Sequence, residues 1–195
     1  MSLFPRMAEL VPEGSRGVAE ITHFGVSEEE SQFTAMRAAH KGAQEYVAPG
    51  RYARLRVNRE LMMTDTDMER ATNREVVRRA KGRVLIAGLG LGMIVHPIAE
   101  KSGVSVTVVE KYRDVIDLVS PTLPAGVTVI EGDILTWRPT RGTKYDTIYF
   151  DIWANVCSDN LDDIRVLKRA FRGRMAPGAW MGAWVENILR MDRYR

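Results

Sequence analysis

From position 84 onward, short apolar runs recur at 84–87, 104–109, 127–130, 145–150 and 179–185, with helix-length segments between most of them. Runs this short and apolar predict strands buried on both faces. Strands that alternate with helices predict parallel pairing through right-handed crossovers. Helices are expected over about 91–102, where Pro97 marks a kink or a late start, and over about 112–119, stopped by Pro121. A third is expected over 159–175, with Leu161, Ile164, Leu167, Lys168 and Phe171 on one side, ending before Pro177-Gly178.

The first 80 residues follow a different pattern. Residues 1–17, rich in Pro, Gly and charge, predict a loose start, and 18–24 predicts a short strand. Ser27-x-x-Glu30 has the spacing of a capping box, and Phe33, Met36, His40, Ala43 and Val47 recur at helical intervals. This predicts a helix over about 28–47, closed by Pro49-Gly50, with His40 packed on its apolar stripe. Tyr52, Ala53, Leu55 and Val57, then 61–63, flank Asn58-Arg59, a hairpin whose turn Asn accommodates in a left-handed conformation. Thr66-x-x-Glu69 is a second capping-box pattern, opening a helix to about Ala80. The expected fold class is α/β: a Rossmann-like three-layer sandwich with a mostly parallel sheet, truncated after its fifth core strand. An N-terminal extension over 1–80 (loose start, helix, hairpin, helix) packs on a ligand-binding domain over 81–195.

The candidate chemistry lies at the strand ends. The run at 84–87 leads directly into Gly88-Leu89-Gly90-Leu91-Gly92, a turn whose glycines permit positive φ and close approach of a ligand to main-chain N–H groups. A helix behind the turn makes those groups a site for a polar or anionic ligand. Glu110 ends the next run, 18 residues after Gly92, where an acid is placed to accept both hydroxyl hydrogens of a ribose. Glu131-Gly132-Asp133 follows the third run, and Asp151-Ile152-Trp153 the fourth. Each acid singly also reads as a helix cap or a solvated loop residue. Together they mark the edge at which open parallel sheets bind ligands.

Composition adds limits. No apolar run approaches the ~20 residues of a membrane span, and the opening residues show no secretory signal, so the cytoplasm is the expected compartment. Cys157 is the only cysteine, which excludes an internal disulfide, and His23, His40 and His96 lack ligand spacing, so no metal is expected. A net charge of +3 is too small to mark a dedicated nucleic-acid binder, although basic groups at 51–59, 70–83 and 168–174 leave phosphate contacts open.

Taken together, 84–93, Glu110, Gly132-Asp133 and 145–151 resemble the class I S-adenosylmethionine-dependent methyltransferase fold. Within it they are most similar to the spermidine-synthase (polyamine aminopropyltransferase) branch, which also has a hairpin and charged segment ahead of the glycine turn and a Tyr-Asp start to the fourth strand. The resemblance covers roughly 51–185. It implies that Gly88, Gly90 and Gly92 shape the pocket for S-adenosylmethionine or its decarboxylated form, and that Glu110 holds the ribose. It places Asp133, with Ile134 beside it, at the adenine, and Asp151 beside the sulfonium and the incoming nucleophile, as orienting group or base. Trp153 and Asn155 are then candidate acceptor contacts.

The departures point away from aminopropyl transfer. That family's second aspartate would fall at Ala154, in the run Asp151-Ile152-Trp153-Ala154-Asn155, and its Tyr-His-Glu segment corresponds to Ala71-Thr72-Asn73. The leading expectation is a methyltransferase with a small-molecule acceptor, and aminopropyl transfer and non-catalytic S-adenosylmethionine binding are the alternatives. A nicotinamide oxidoreductase is disfavoured, because Met93 stands where G-x-G-x-x-G has its third glycine. With ten residues after Val185 the reversed strand pair that usually completes this sheet does not fit. The exposed edge and half-built pocket predict a homodimer or higher assembly, or cover by the helix at 28–47 or the hairpin.

Overall fold

In the computed structural model, which describes residues 3–42 and 46–192, the apolar runs of the second half form one parallel sheet. Its strands are β5 (Arg83–Ala87), β6 (Ser105–Glu110), β7 (Thr128–Glu131), β8 (Tyr145–Phe150) and β9 (Met175–Ala183), in the order β7-β6-β5-β8-β9. Every neighbouring pair is parallel, and the order is that of a Rossmann-like sheet. Val84, Leu85, Ile86 and Ala87 of the central β5 are all fully buried, as an apolar strand covered on both faces requires. The start of β5 is fixed by its neighbour: Arg83 N donates to Asp146 Oδ2 (2.8 Å), and Lys81 N to Thr147 Oγ1 (3.1 Å).

Helices α5 (Val95–Ala99), α6 (Arg113–Val119) and α7 (Asn160–Phe171) connect these strands, and α8 (Glu186–Asp192) follows β9. The expected helix at 91–102 is much shorter and starts late. Gly92 is left-handed (φ 79°) and cannot continue a helix, so the first turn forms behind it, with Pro97 tolerated near the start. Leu161, Ile164, Leu167 and Phe171 of α7 are buried as predicted. The last strand begins at Met175, before Pro177-Gly178 rather than after it. A register shift between Tyr145↔Met175 and Thr147↔Trp180 absorbs the Pro-Gly segment at the sheet edge.

The N-terminal part forms a second, antiparallel sheet of β1 (Gly14–Arg16), β2 (Ala19–Val26), β3 (Gly50–Val57) and β4 (Glu60–Thr64), in that order. The predicted hairpin is β3–β4, with Asn58 and Arg59 both left-handed (φ 52° and 69°). The expectation of a loose start was wrong. Helix α1 (Met7–Leu10) and β1 occupy it, and Phe4, Met7, Ala8 and Val11 are buried. Their i, i+3, i+4, i+7 spacing is that of one helical face, masked in the sequence by surrounding Pro, Gly and charge. Helix α6 joins the two sheets, since Asp114 accepts from Val18 N (2.9 Å) and Asp117 pairs with Arg16 (2.7 Å).

Helix α2 (Glu28–Lys41) opens on the predicted Ser27/Glu30 capping box. Its apolar stripe is not packed: Phe33 and Met36 are 64% and 68% exposed, and His40 is exposed rather than a packed histidine. Ala43 lies outside the described residues, and Val47 beyond the helix. The reason is topological. β2 and β3 pair directly from Ala19↔Val57 to Val26↔Gly50, so α2 is an excursion between strands already joined. The helix expected from Thr66 to Ala80 is broken at Asn73 into α3 (Asp67–Thr72) and α4 (Arg74–Arg79), and no side chain caps α3. Thr66 Oγ1 bonds Thr64 Oγ1 instead (2.9 Å), which leaves Glu69 free to turn elsewhere.

Candidate functional site

The carboxyl ends of β5, β6, β7 and β8 open into one cleft of about 300 Å³, where strand order reverses about β5. Gly88, Gly90 and Gly92 all have positive φ (94°, 53° and 79°). A Cβ at Gly88 would strike the Asp151 carbonyl oxygen, and one at Gly90 the sulfur of Met63. These two glycines line the cleft. Gly92 does not: a Cβ there would meet Leu123 at 2.9 Å and Val119 at 3.4 Å, so it serves the packing of the turn against the end of α6.

The N–H groups of the turn are already engaged. Gly88 N donates to Val109 O (2.9 Å), Leu89 N to Glu110 (2.8 Å), Leu91 N to Met63 Sδ (3.1 Å) and Gly92 N to Leu89 O (2.9 Å). The Val95 and His96 N–H groups share the Gly92 carbonyl. Of the polar or anionic ligands expected at this turn, an anion would find these N–H groups already bonded. The charge around it has the opposite preference: Glu69, Glu110, Asp133, Asp151 and Asp163 line the cleft, and Lys111 is the one basic side chain among the described lining residues.

Glu110, at the end of β6, is buried, and its two oxygens accept from Leu89 N and Tyr112 N (2.8 Å each). Burial raises its carboxyl, and the main-chain N–H groups of Leu89, Tyr112, Lys111 and Gly90 oppose the rise. Asp133, beyond β7, accepts from Leu135 N (3.0 Å) and Lys111 Nζ (3.1 Å), which hold its carboxyl below the usual range. Ile134 beside it is buried and apolar. Leu55, Val57, Met62 and Met63 of the hairpin form the facing wall.

Asp151 follows β8, tied by its own N–H to Ala87 O (2.8 Å). No helix starts there, since α7 begins at Asn160, so it is not a cap. It keeps some surface open to the cleft while protein surrounds it, and burial pushes its carboxyl up to about 7. Trp153 lines the cleft, with its Nε1 donating to Asp163 Oδ2 (3.3 Å). Asn155 is exposed outside the cleft, where its carbonyl accepts from Asn160.

The sequence reading missed Glu69 and Trp184. Glu69 was read as a capping-box partner, yet it lines the cleft, and burial, then the charge of Asp151, push it up to about 8 against a bond from the Thr64 main chain. Trp184, just after β9, is held by its N–H to Phe150 O (2.8 Å) and its Nε1 to Thr72 Oγ1 (3.0 Å). The available signal was weak: an acid in the helix that links the hairpin to the glycine-turn strand.

The raised value of Glu69 gives a first prediction. Its folded value lies above the ordinary one, so from about pH 4.5 to 8 the folded chain holds more proton than the unfolded chain and stability falls as pH rises. Glu69→Gln removes that loss. The variant is expected to be more stable than the parent by on the order of 2 kcal/mol at pH 8, with the gain vanishing near pH 4. Denaturant titrations at both pH values check this, and an equal effect at both refutes it.

No family model and no curated protein matches the sequence. Several solved structures are similar to it. The DhpI-SAH complex is 19% identical, with 57% of this chain and 52% of that one covered and a TM-score of 0.47. The glycopeptide N-methyltransferase MtfA is 21% identical, with 57% and 50% covered and a TM-score of 0.43. CalS10, an amino pentose methyltransferase from Micromonospora echinaspora, is 23% identical, with 57% and 46% covered and a TM-score of 0.43. The chain thus spans about half the length of these proteins.

Proposed function

We propose that the cleft binds S-adenosylmethionine and that the chain is a methyltransferase. The observation that carries this reading is Glu110: a carboxylate buried at the end of β6, lining the cleft beside the glycine turn and fixed there by main-chain N–H groups, where an acid can accept from two vicinal hydroxyls. Asp133 and Ile134 give the adjoining end an acceptor for an exocyclic amine and an apolar wall, which suits adenine. Gly88 and Gly90 leave room for the amino-acid end. S-adenosylmethionine, when bound, supplies a methyl group activated by a sulfonium charge. A cleft lined with carboxyls suits a cationic ligand and opposes a pyrophosphate, and the engaged N–H groups of the turn oppose it further. Buried Met93 at the third-glycine position also opposes a dinucleotide.

Asp151, near neutrality in its affinity for a proton, orients the acceptor and takes its proton at physiological pH. Methyl rather than aminopropyl transfer is proposed because Ala154, where the aminopropyltransferase pattern has its second aspartate, is exposed and outside the cleft.

Calorimetry with S-adenosylmethionine, S-adenosylhomocysteine and NAD tests the reading. The first two are expected to bind and NAD not to. Glu110→Ala is expected to weaken S-adenosylmethionine at least tenfold, since bonds to a charged group contribute about 1.5–3 kcal/mol. It is also expected to lower stability, because the Leu89 and Tyr112 N–H groups lose their acceptor. Unchanged affinity would place the ribose elsewhere.

A further inference from the structure

The β8 end of the cleft contains more acid than holding S-adenosylmethionine requires. Asp151 sits at the end of β8, Glu69 enters from α3, and Asp163 reaches over from α7. Glu69 is nine-tenths buried, and the charge of Asp151, after burial itself, raises its carboxyl. Two indoles complete this end. Trp184 is bonded to Phe150, next to Asp151, and to Thr72, whose hydroxyl also donates to the Glu69 carbonyl (3.1 Å). Trp153 is bonded to Asp163. The one lysine of the cleft, Lys111, is paired with Asp133 at the far end.

We propose, on the reading that the cleft binds S-adenosylmethionine, that this end is an acceptor pocket for a cationic amine and that Glu69 is the residue that selects it. An ammonium is attracted by both carboxyls and by the faces of the two indoles. An anionic acceptor meets three carboxyls and no cation there, and a neutral alcohol gains nothing from their charge. The proton arithmetic is complete within the site. The ammonium gives one proton to a carboxylate of the Glu69–Asp151 pair. The freed nitrogen lone pair forms the N–C bond as the C–S bond breaks, with that bond's electrons staying on sulfur. The products are a thioether and a methylated ammonium, and the carboxyl returns its proton to solvent through the mouth of the cleft. Once ionised beside the ammonium, Glu69 supplies the second negative charge, so that one carboxylate of the pair remains ionised after the other has taken the proton.

The test needs no turnover. Protein saturated with S-adenosylhomocysteine is titrated at pH 8.5, above the value of about 8 to which Glu69 is pushed, with benzylamine, still mostly a cation there, and, separately, with benzyl alcohol, which has a similar shape and no charge. Binding is read by calorimetry and by the indole N–H signals of Trp153 and Trp184. Benzylamine is expected to bind at least tenfold more tightly than the alcohol and to shift both indoles. Glu69→Gln is expected to cut that preference to threefold or less, with S-adenosylhomocysteine affinity within threefold of the parent. An equal or absent response to the amine, or a preference unchanged in Glu69→Gln, overturns the proposal. If Glu69→Gln does not fold, the parent's amine-to-alcohol ratio and its reduction in Asp163→Asn, on the exposed rim, decide the matter. Failure of the parent to bind S-adenosylhomocysteine removes both readings. Binding of it without amine preference removes the acceptor assignment alone.

Discussion

Asp151→Asn is expected to lower methyl transfer by about 10²–10⁴-fold while S-adenosylmethionine still binds within a few-fold of the parent, on the proposed function. The asparagine keeps the size of the side chain and the main-chain bond to Ala87, so the glycine turn stays seated against the strand end. What it removes is a carboxyl whose proton affinity, near 7, lets it accept a proton at neutral pH and hold it briefly. A residue of that affinity is matched to general-base work; an ordinary surface aspartate is not. Single-turnover transfer with an acceptor found by the amine titration, set beside calorimetry of the same variant, separates chemistry from binding. Full activity in Asp151→Asn would remove this residue from the chemistry and leave non-catalytic S-adenosylmethionine binding as the better reading.

The largest effect on stability is expected at a residue far from any ligand. Asp65 is completely buried and accepts from Met7 N (2.8 Å), Ala53 N (2.7 Å) and the Arg70 guanidinium (3.1 Å). One carboxylate therefore ties α1, β3 and α3 together. Asp65→Ala leaves two buried N–H groups without this acceptor and the largely buried Arg70 guanidinium without its counter-ion, a loss of about 3–5 kcal/mol. Most single domains have about 5–15 kcal/mol in total, so Asp65→Ala approaches the unfolding threshold. Chemical denaturation checks the figure. Because α3 carries Glu69, the variant is also expected to lose order in the cleft before it unfolds, visible as altered indole signals of Trp184. A change below 1 kcal/mol would show that the knot is dispensable.

The parallel half of the fold was legible because its physics is local. A strand covered on both faces must be apolar throughout, a turn that abuts another main chain must be glycine, and both are written in consecutive residues at 84–92. Glu110, Asp133 and Asp151 could be placed for the same reason: each ends a recognisable run. What the sequence concealed depends on partners distant along the chain. Glu69 and Thr66 have the spacing of a capping box, and only the neighbouring Thr64 hydroxyl, which captures Thr66, shows why the box does not close. Gly92 has the same conformation as Gly88 and Gly90, and whether it faces ligand or Leu123 is decided by α6, about twenty-five residues later. The apolar stripe of α2 followed the rules of a buried face, and it stays exposed because β2 and β3 already satisfy each other. The helical spacing of Phe4, Met7, Ala8 and Val11 was visible but outweighed by composition.

The central place of β5 also governs the order in which the molecule can be made. Its pairing with β6 closes a short stretch of chain, from Arg83↔Ser105, whereas its other edge waits for Thr147 and its neighbours. On a ribosome delivering roughly 5–20 residues per second, Val84-Leu85-Ile86-Ala87 stands with one bare edge for some seconds after β6 and β7 have emerged. That edge is apolar, uncharged and in register for pairing, the kind that joins to another copy. Slower synthesis between positions 110 and 145 lengthens the interval in which this edge waits for β8.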